Sequence, residues 1–398
     1  MSAPQQLLIA GGGIGALAAA CAVARAGWQV RVYERAPEFA EVGAGLQLGP
    51  NVTRILHAWG LADGLRAIAA FPARLVVRCA VTGAELGALA LGERAQARYG
   101  APYATVHRAD LHALLLHASQ TVDGVHINRG QTVLGFKDLG SAVRIHTGAM
   151  PEIEGDALLG ADGLLSRVRQ QLLGDGPPQP VGDVAYRAMA RMAALPAAWR
   201  ANQVTAWLGP RLHLVQYPVR RGEALNVVAI VRGGARPGHA DDSAAAVAEL
   251  EHGFHGVCTP LRELIAAAPQ ASLNESPWRR WVLAARPPVH GAAHMARGAV
   301  ALLGDAAHPM RPYLAQGAGM AIEDAAELAH ALAMDAVPVP TRLQRYALAR
   351  WQRVARVQAR SMRNGQIFHA QGLLRVGRDA SMRLLGERLL DVPWLYAR

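Results

Sequence analysis

Residues Leu7–Ala24, LLIAGGGIGALAAACAVA, make an uncharged run of 18 residues near the start of the chain, and four of its first nine are glycine. The run has the length of a membrane span or of a secretory signal with its flanks. Neither use calls for a glycine cluster, and no basic residue precedes the run in MSAPQQ. It also leads directly through Arg25-Ala-Gly27 into a second apolar segment, Gln29–Tyr33. A buried parallel strand of about five residues, a tight glycine turn, an alanine-rich helix and a second strand account for every part of this stretch. The chain is therefore expected to open as a β-α-β unit of an α/β fold, with no membrane span.

Gly11, Gly13 and Gly15 of that unit read G-x-G-x-G-A, where a dinucleotide-binding turn usually reads G-x-G-x-x-G/A, and Ala16 takes the third place. Gly11 permits the sharp turn off the strand, Gly13 lets the backbone approach a pyrophosphate, and a small residue at 16 lets helix and strand pack closely. The helix N-terminus then faces the phosphates with the positive end of its dipole. Glu34, at the end of the second strand, is placed to accept hydrogen bonds from ribose hydroxyls. Standing alone, such a string also fits an ordinary glycine-rich turn in an unrelated α/β protein; the order of strand, helix, strand and acid favours the dinucleotide.

Two later strings sharpen this. LLGADGLLSRVR, from Leu158 to Arg169, is an apolar strand ending in Asp162-Gly163, with Ser166 placed to cap a helix. Ala299–Leu303 is a second buried strand that runs into GDAAHP, Gly304–Pro309, and then into Gln316-Gly317-Ala318-Gly319 before a helix carrying Glu323-Asp324. Asp305 thus sits at the C-terminal end of a strand, where open α/β sheets bind ligands. The glycine-rich helix start offers N–H groups to a ring that gains negative charge on reduction.

On these strings the chain resembles the single-component flavin-dependent aromatic hydroxylases, the family of p-hydroxybenzoate hydroxylase and salicylate hydroxylase. The family pattern D-G-x-x-S-x-x-R is matched by Asp162, Gly163, Ser166 and Arg169, and G-D-A-A-H-P by Gly304–Pro309. EVGAGLQLGPN (Glu41 to Asn51), HRADL (His107 to Leu111) and AQGAGMAIED (Ala315 to Asp324) are similar to the branches acting on 3-hydroxybenzoate and 6-hydroxynicotinate. The resemblance implies a Rossmann-type FAD-binding domain with an inserted mixed β-sheet substrate domain and C-terminal helices, and no separate nicotinamide domain. The expected division is an FAD domain at 1–72, 106–181 and 286–335, substrate-domain strands at 73–105, a substrate sheet at 182–285 and a helical segment at 336–398. It also implies that Gly15, Glu34 and Arg35 hold the ADP half of FAD, that Arg108 reaches the cofactor and that Asp305 holds the ribityl chain. Gln47 is counted among the cofactor residues, Pro309, Gly317, Ala318 and Gly319 border the isoalloxazine, and Asp162 and Arg169 lie near the pyrophosphate.

Strand-like runs at Asp183–Met189, Val204–Trp207, Arg211–Val219 and Leu225–Val231 are expected to form the sheet that covers the ring. A strand's period of two puts His213, Val215 and Tyr217 on one face. Without the resemblance a His and a Tyr so placed are more often ordinary members of a sheet. With it, they hold the substrate's phenol and assist its deprotonation, and an ionised phenol is the better nucleophile. Gln47 replaces a histidine of the hydroxynicotinate enzyme, and Met310-Arg311-Pro312-Tyr313 departs from the hydroxybenzoate pattern, so neither substrate transfers intact. Arg311 is a candidate partner for a substrate carboxylate, against the plainer reading of a solvent-facing loop residue, and Tyr313 accompanies it.

Composition places the remaining charge. The 41 basic residues outnumber 30 acidic ones to give +11, and Lys137 is the single lysine. No acidic residue lies between Asp335 and Asp379, where nine arginines fall among apolar Leu343, Tyr346, Trp351, Val354 and Val357 at helical spacing. A solvated basic face that attracts anionic substrates fits better than nucleic-acid or membrane binding, for which no motif is present. Three dispersed cysteines form no metal or disulfide pattern and point to a reducing cytoplasm. The apolar tail Asp391–Tyr396 suits either pocket closure or a homodimer contact.

The combined expectation is an FAD-dependent monooxygenase that uses NADH or NADPH and O2 to hydroxylate a phenolic or hydroxylated heteroaromatic acid through a flavin C4a-hydroperoxide. NADH is favoured by the resemblance alone. The alternatives are a same-fold flavoprotein acting on a non-aromatic or polycyclic substrate, and a non-hydroxylating flavin-binding redox sensor.

Overall fold

A computed structural model describes residues 4–39, 44–148, 151–233, 243–273 and 278–397. Glu41, Val42 and Gly43 of the EVGAG string lie outside the described residues. The strand Gln6–Ala10 passes through Gly11 at φ +101° into the helix Ile14–Arg25 and on to the strand Gln29–Glu34. Both strands lie side by side and parallel in a six-stranded sheet, in the order Ala296–Arg297, Val300–Leu302, Ala157–Gly160, Gln6–Ala10, Gln29–Glu34 and Val125–Arg129. Only the short Ala296–Arg297 strand runs antiparallel.

The alanines of the first helix are nearly all buried, which lets it pack tightly against the helix Gly317–Leu332. A Cβ on Gly15 would lie 2.6 Å from Leu303 Cδ2 and 3.1 Å from Ala321 Cβ, so that close approach demands glycine there.

A seven-stranded sheet stands against this unit, in the order Arg279–Ala285, Gln179–Arg191, Ala224–Arg232, Leu212–Val219, Gln203–Gly209, Arg74–Cys79 and Glu85–Ala90. Its long strand starts at Gln179, ahead of the expected boundary at 182. The strand Ala104–His107 straddles the boundary expected at 105 and pairs with Gly45–Leu48 in a separate two-stranded ribbon. Alternation gives the large sheet two faces. Tyr186, Ala188, Leu214, Val227 and Ala229 turn toward Leu250 of the helix Ser243–Gly253, Phe254 just after it, and Leu261 and Leu264 of the helix Thr259–Gln270. The residues between them in sequence face the six-stranded unit. The two layers are joined by Gly45 N–H donating to Asn226 Oδ1 (2.7 Å), Thr105 Oγ1 donating to the Pro218 carbonyl (2.5 Å) and Arg220 pairing with Asp110.

The arginine-rich segment forms one 30-residue helix, Val339–Phe368. Its basic residues are not all solvated, in contrast to the expectation. Arg345, Arg356 and Arg363 are exposed, but Arg342 and Arg350 are buried. Arg342 donates to the carbonyl of Leu332, which the end of the preceding helix leaves without an intrahelical partner, and to those of Asp335 and Val337 in the turn beyond it. The tail packs within the chain: Tyr396 meets the rings of Tyr99 and Tyr103, and Asp391 accepts from the Tyr99 hydroxyl (2.5 Å). Among the described residues no helix is long and apolar enough to cross a membrane.

Candidate active site

A cavity of about 300 Å³ lies between the two layers. Gly13, Gly15, Gln47, Arg108, Asp305, Gly317 and Ala318 line it from the six-stranded unit, and Arg187, His213, Val215, Tyr217, Val228 and Ile230 from the sheet. A larger depression of about 460 Å³, walled by Arg66, Phe71, Met192, Arg200 and Arg221, brings in none of the sequence-predicted residues and no titratable acid or histidine.

The cofactor side is built from helix starts and strand ends. Nothing lies within 4 Å of where a Gly13 Cβ would stand, so the turn presents bare backbone and the helix N-terminus to the cavity. Glu34 accepts from the N–H groups of Gly12 (2.6 Å) and Ala36 (2.8 Å), which aims its carboxylate across the turn, and Arg35 is exposed beside it. Asp305 is solvent-accessible at the cavity wall, yet the protein packed around it pushes its carboxyl above the ordinary value, with His308 and Arg108 working against that rise. A carboxylate whose affinity for the proton is raised in this way is a strong acceptor for a ligand hydroxyl. Exposed backbone donors, an acid for ribose and an acid for a polyol chain together fit a flavin dinucleotide.

A buried ionic cluster sets this geometry from behind. Asp324 accepts from Gly304 N–H (3.1 Å), from His308 Nε2 and from Arg350 Nε (2.7 Å), while Glu323 accepts from Asn51, Arg350 and Arg353. Burial alone would raise the Asp324 carboxyl, but His308 and Arg350 outweigh it and hold the group down to about 2. The GDAAHP turn is thereby tied to the helix that follows it. Ala315 adopts φ +52°, a conformation uncommon without glycine, in turning the chain into that helix.

Several expected residues stand elsewhere. Arg169 is fully buried, and its guanidinium engages Asp175 and the carbonyls of Ala306 and Ala307. A buried cation requires acceptors, and here the turn after Asp305 supplies them, so Arg169 braces that turn and does not line the cavity. Asp162 caps the helix Arg167–Leu173 through the N–H groups of Arg167 and Val168 (2.7 and 3.3 Å) and keeps a buried Oδ1 without a partner among the described residues. Pro309 is buried, its carbonyl accepting from Gln358, and Gly319 lets the helix approach Val52; neither lines the cavity. Tyr313 lies behind His213, donating its hydroxyl to Asp183, whereas its neighbour Arg311 does reach the cavity.

On the sheet side, strand pairing sets His213 beside Ile230, Val215 beside Val228, and Val228 in turn beside Arg187. Arg187 therefore belongs to the row between His213 and Tyr217, a neighbourhood that no local pattern announces. Its guanidinium lies 5.6 Å from the Trp281 ring centroid, its Nε is buried without a partner, and its side chain makes no hydrogen bond or ion pair among the described residues. Burial lowers its affinity for the proton, with Arg108 adding to the effect against the pull of Tyr217. Tyr217 is held fully neutral by burial, and Gln47 accepts from the hydroxyl of the adjacent Tyr103 (2.5 Å).

The profile of a family described as an FAD binding domain matches residues 5–210 and 263–361. The chain is 38% identical to 3-hydroxybenzoate 6-hydroxylase of Polaromonas naphthalenivorans over 98% of the chain and 95% of the relative. It belongs to the FAD-dependent aromatic monooxygenases. It is 36% identical to 6-hydroxynicotinate 3-monooxygenase of Bordetella bronchiseptica over 82% of each. Among solved structures, a single-substitution form of Klebsiella pneumoniae HpxO complexed with FAD superposes with a TM-score of 0.83 at 25% identity, covering 97% of this chain and 96% of that one. A salicylate hydroxylase substrate complex shares the fold with a TM-score of 0.81 at 23% identity, covering 99% and 95%.

FAD is the cofactor, and the cavity wall makes a checkable demand on it. Asp305→Ala should lower FAD occupancy of the purified protein, since a hydrogen bond to a charged group contributes about 1.5–3 kcal/mol. Undiminished retention of flavin during gel filtration and dialysis would show that Asp305 does not hold it.

Proposed function

We propose that this monooxygenase uses NADH or NADPH and O2 to hydroxylate a phenolic or hydroxylated heteroaromatic acid bound between the sheet and the flavin. The observation that carries the acid is Arg187: a half-buried guanidinium whose Nε is buried with no hydrogen-bond partner among the described residues, facing the cavity between His213 and Tyr217. Burying a charge is costly unless it is paired, and a substrate carboxylate supplies the missing partner in bidentate geometry. Arg108 and Arg311 line the same cavity and raise its potential for an anion. Relatives named for 3-hydroxybenzoate and 6-hydroxynicotinate, both hydroxylated aromatic acids, support the same class.

When bound, FAD takes reducing equivalents from the nicotinamide and activates O2. The chain's own residues do the rest. Arg187 anchors the carboxylate, His213 and Tyr217 hold the ring hydroxyl and favour its ionisation, and Val215, Val228 and Ile230 keep water from the ring. The backbone at Gly317 and Ala318, at a helix N-terminus, offers donors to the reduced ring system. Free Cys21, Cys79 and Cys258 accord with a reducing cytoplasm. Exposed Leu373, Leu374 and Leu384 accord with a homodimer.

The test is a screen of hydroxybenzoates, hydroxynicotinates and phenols without a carboxylate for stimulated NADH or NADPH oxidation, with products identified by mass. Arg187→Gln should raise KM for the acids by about 10- to 100-fold, as expected for the loss of a charged hydrogen bond, and leave carboxylate-free phenols little changed. An equal effect on both classes would remove Arg187 from carboxylate recognition. Absence of flavin reduction by either nicotinamide would favour the redox-sensor alternative.

A further inference from the structure

His213 does not stand alone behind the cavity. The helix Val339–Phe368 ends so that His369, itself buried, places Nε2 at 2.8 Å from His213 Nδ1. The rings of Tyr313 and Phe368 pack on His213 at centroid distances of 5.3 and 5.4 Å, which fixes its plane. The other nitrogen of His213, Nε2, makes no hydrogen bond among the described residues, and the ring lines the cavity.

Two neutral imidazoles sharing one hydrogen bond have two arrangements. In one, His213 Nδ1–H donates to His369, and the proton of His369 sits on its Nδ1. That nitrogen is buried and no acceptor among the described residues reaches it. In the other, His369 Nε2–H donates to His213, and only a lone pair is left on His369 Nδ1. A buried N–H without an acceptor is the rarer and costlier defect.

We infer that His369 is a positioning residue that donates Nε2–H to His213 Nδ1 and so holds His213 as the Nε2–H tautomer, a hydrogen-bond donor and not a base toward the ring in the cavity. The charges around the pair agree with neutrality. Burial lowers His213 well below its ordinary value, with His369 adding to the effect. Burial also brings His369 down to about 4, where the upward pull of Asp183 is opposed by Arg232 and Arg378, and the Tyr313 hydroxyl is committed to Asp183. A fixed neutral donor favours a phenolate over a phenol at its tip without taking the proton itself. The class of ligand rests on the hydroxylation reading; the tautomer does not.

The experiment uses FAD-loaded enzyme labelled with [15N]histidine, with His213 assigned by its loss in His213→Gln. His213 should show an unprotonated Nδ1 and a protonated Nε2 at pH 7. His369→Gln keeps a side-chain N–H and should keep this pattern, whereas His369→Phe should mix the two tautomers. With 3-hydroxybenzoate as the probe, the pH at which the bound phenol ionises, read by ultraviolet absorbance, should rise by about one unit in His369→Phe and not in His369→Gln. A protonated Nδ1 on His213 in the parent enzyme, or an unchanged His213 pattern in His369→Phe, would overturn the inference. The expected His213 pattern without any binding of 3-hydroxybenzoate would support the tautomer and count against the substrate.

Discussion

Tyr217→Phe and His213→Ala should leave the flavin spectrum and FAD occupancy intact while lowering coupled hydroxylation by about 10²–10³-fold, the usual effect of removing one preorganised donor from a developing anion. Both side chains lie on the sheet face of the cavity, opposite the lining residues of the other layer that are expected to hold the cofactor. Their loss should therefore act on the ring to be hydroxylated and not on the flavin. Reduction by the nicotinamide should persist, and oxygen consumed without product should appear as hydrogen peroxide. The measurement is the ratio of product to peroxide per NADH or NADPH oxidised, on the substrate that the screen identifies. Normal rate and coupling in both variants would make these residues ordinary members of the sheet.

Arg350→Met should destabilise the protein by about 3–5 kcal/mol, because it removes one partner of a buried charge cluster and leaves the other partners uncompensated. Arg350 donates to both Asp324 (2.7 Å) and Glu323 (2.8 Å), and all three side chains are buried. The pH dependence follows from the carboxyl of Asp324. In the parent it is depressed to about 2 from an ordinary 3.8, so its contribution is complete above about pH 4 and is lost as the pH falls toward 2. Without Arg350 the burial that already opposes ionisation gains ground and the carboxyl rises. The variant then holds a costly buried charge at pH 7 and sheds part of that cost on protonation. The stability gap between parent and variant should accordingly be widest near pH 7 and narrow toward pH 4, as read from urea midpoints. A gap that is small, or flat with pH, would mean that Asp324 does not depend on Arg350. Because Asp324 also accepts from Gly304 and His308, the variant should lose FAD affinity as well.

What could be read directly from the chain was local and contiguous. The glycine run, the acids at strand ends and the two strings around Asp162 and Asp305 occupy successive positions on strands and turns, and period-two alternation places His213, Val215 and Tyr217 on one face. Those patterns determined an α/β dinucleotide fold, because backbone geometry imposes them within a few residues; the flavin, and the expectation that a substrate lies against the His213–Tyr217 face, came from the resemblance of the strings to the aromatic hydroxylases. The tertiary structure alone decided the rest. Arg187 reaches the same wall because the strands Gln179–Arg191, Ala224–Arg232 and Leu212–Val219 pair in one particular register, and register depends on partners far away in sequence. Arg169 and Tyr313 turn to Asp175 and Asp183 because buried polar groups take whichever partners the finished fold provides. His369 meets His213 only because a 30-residue helix ends where it does, a length and a packing direction that no motif encodes.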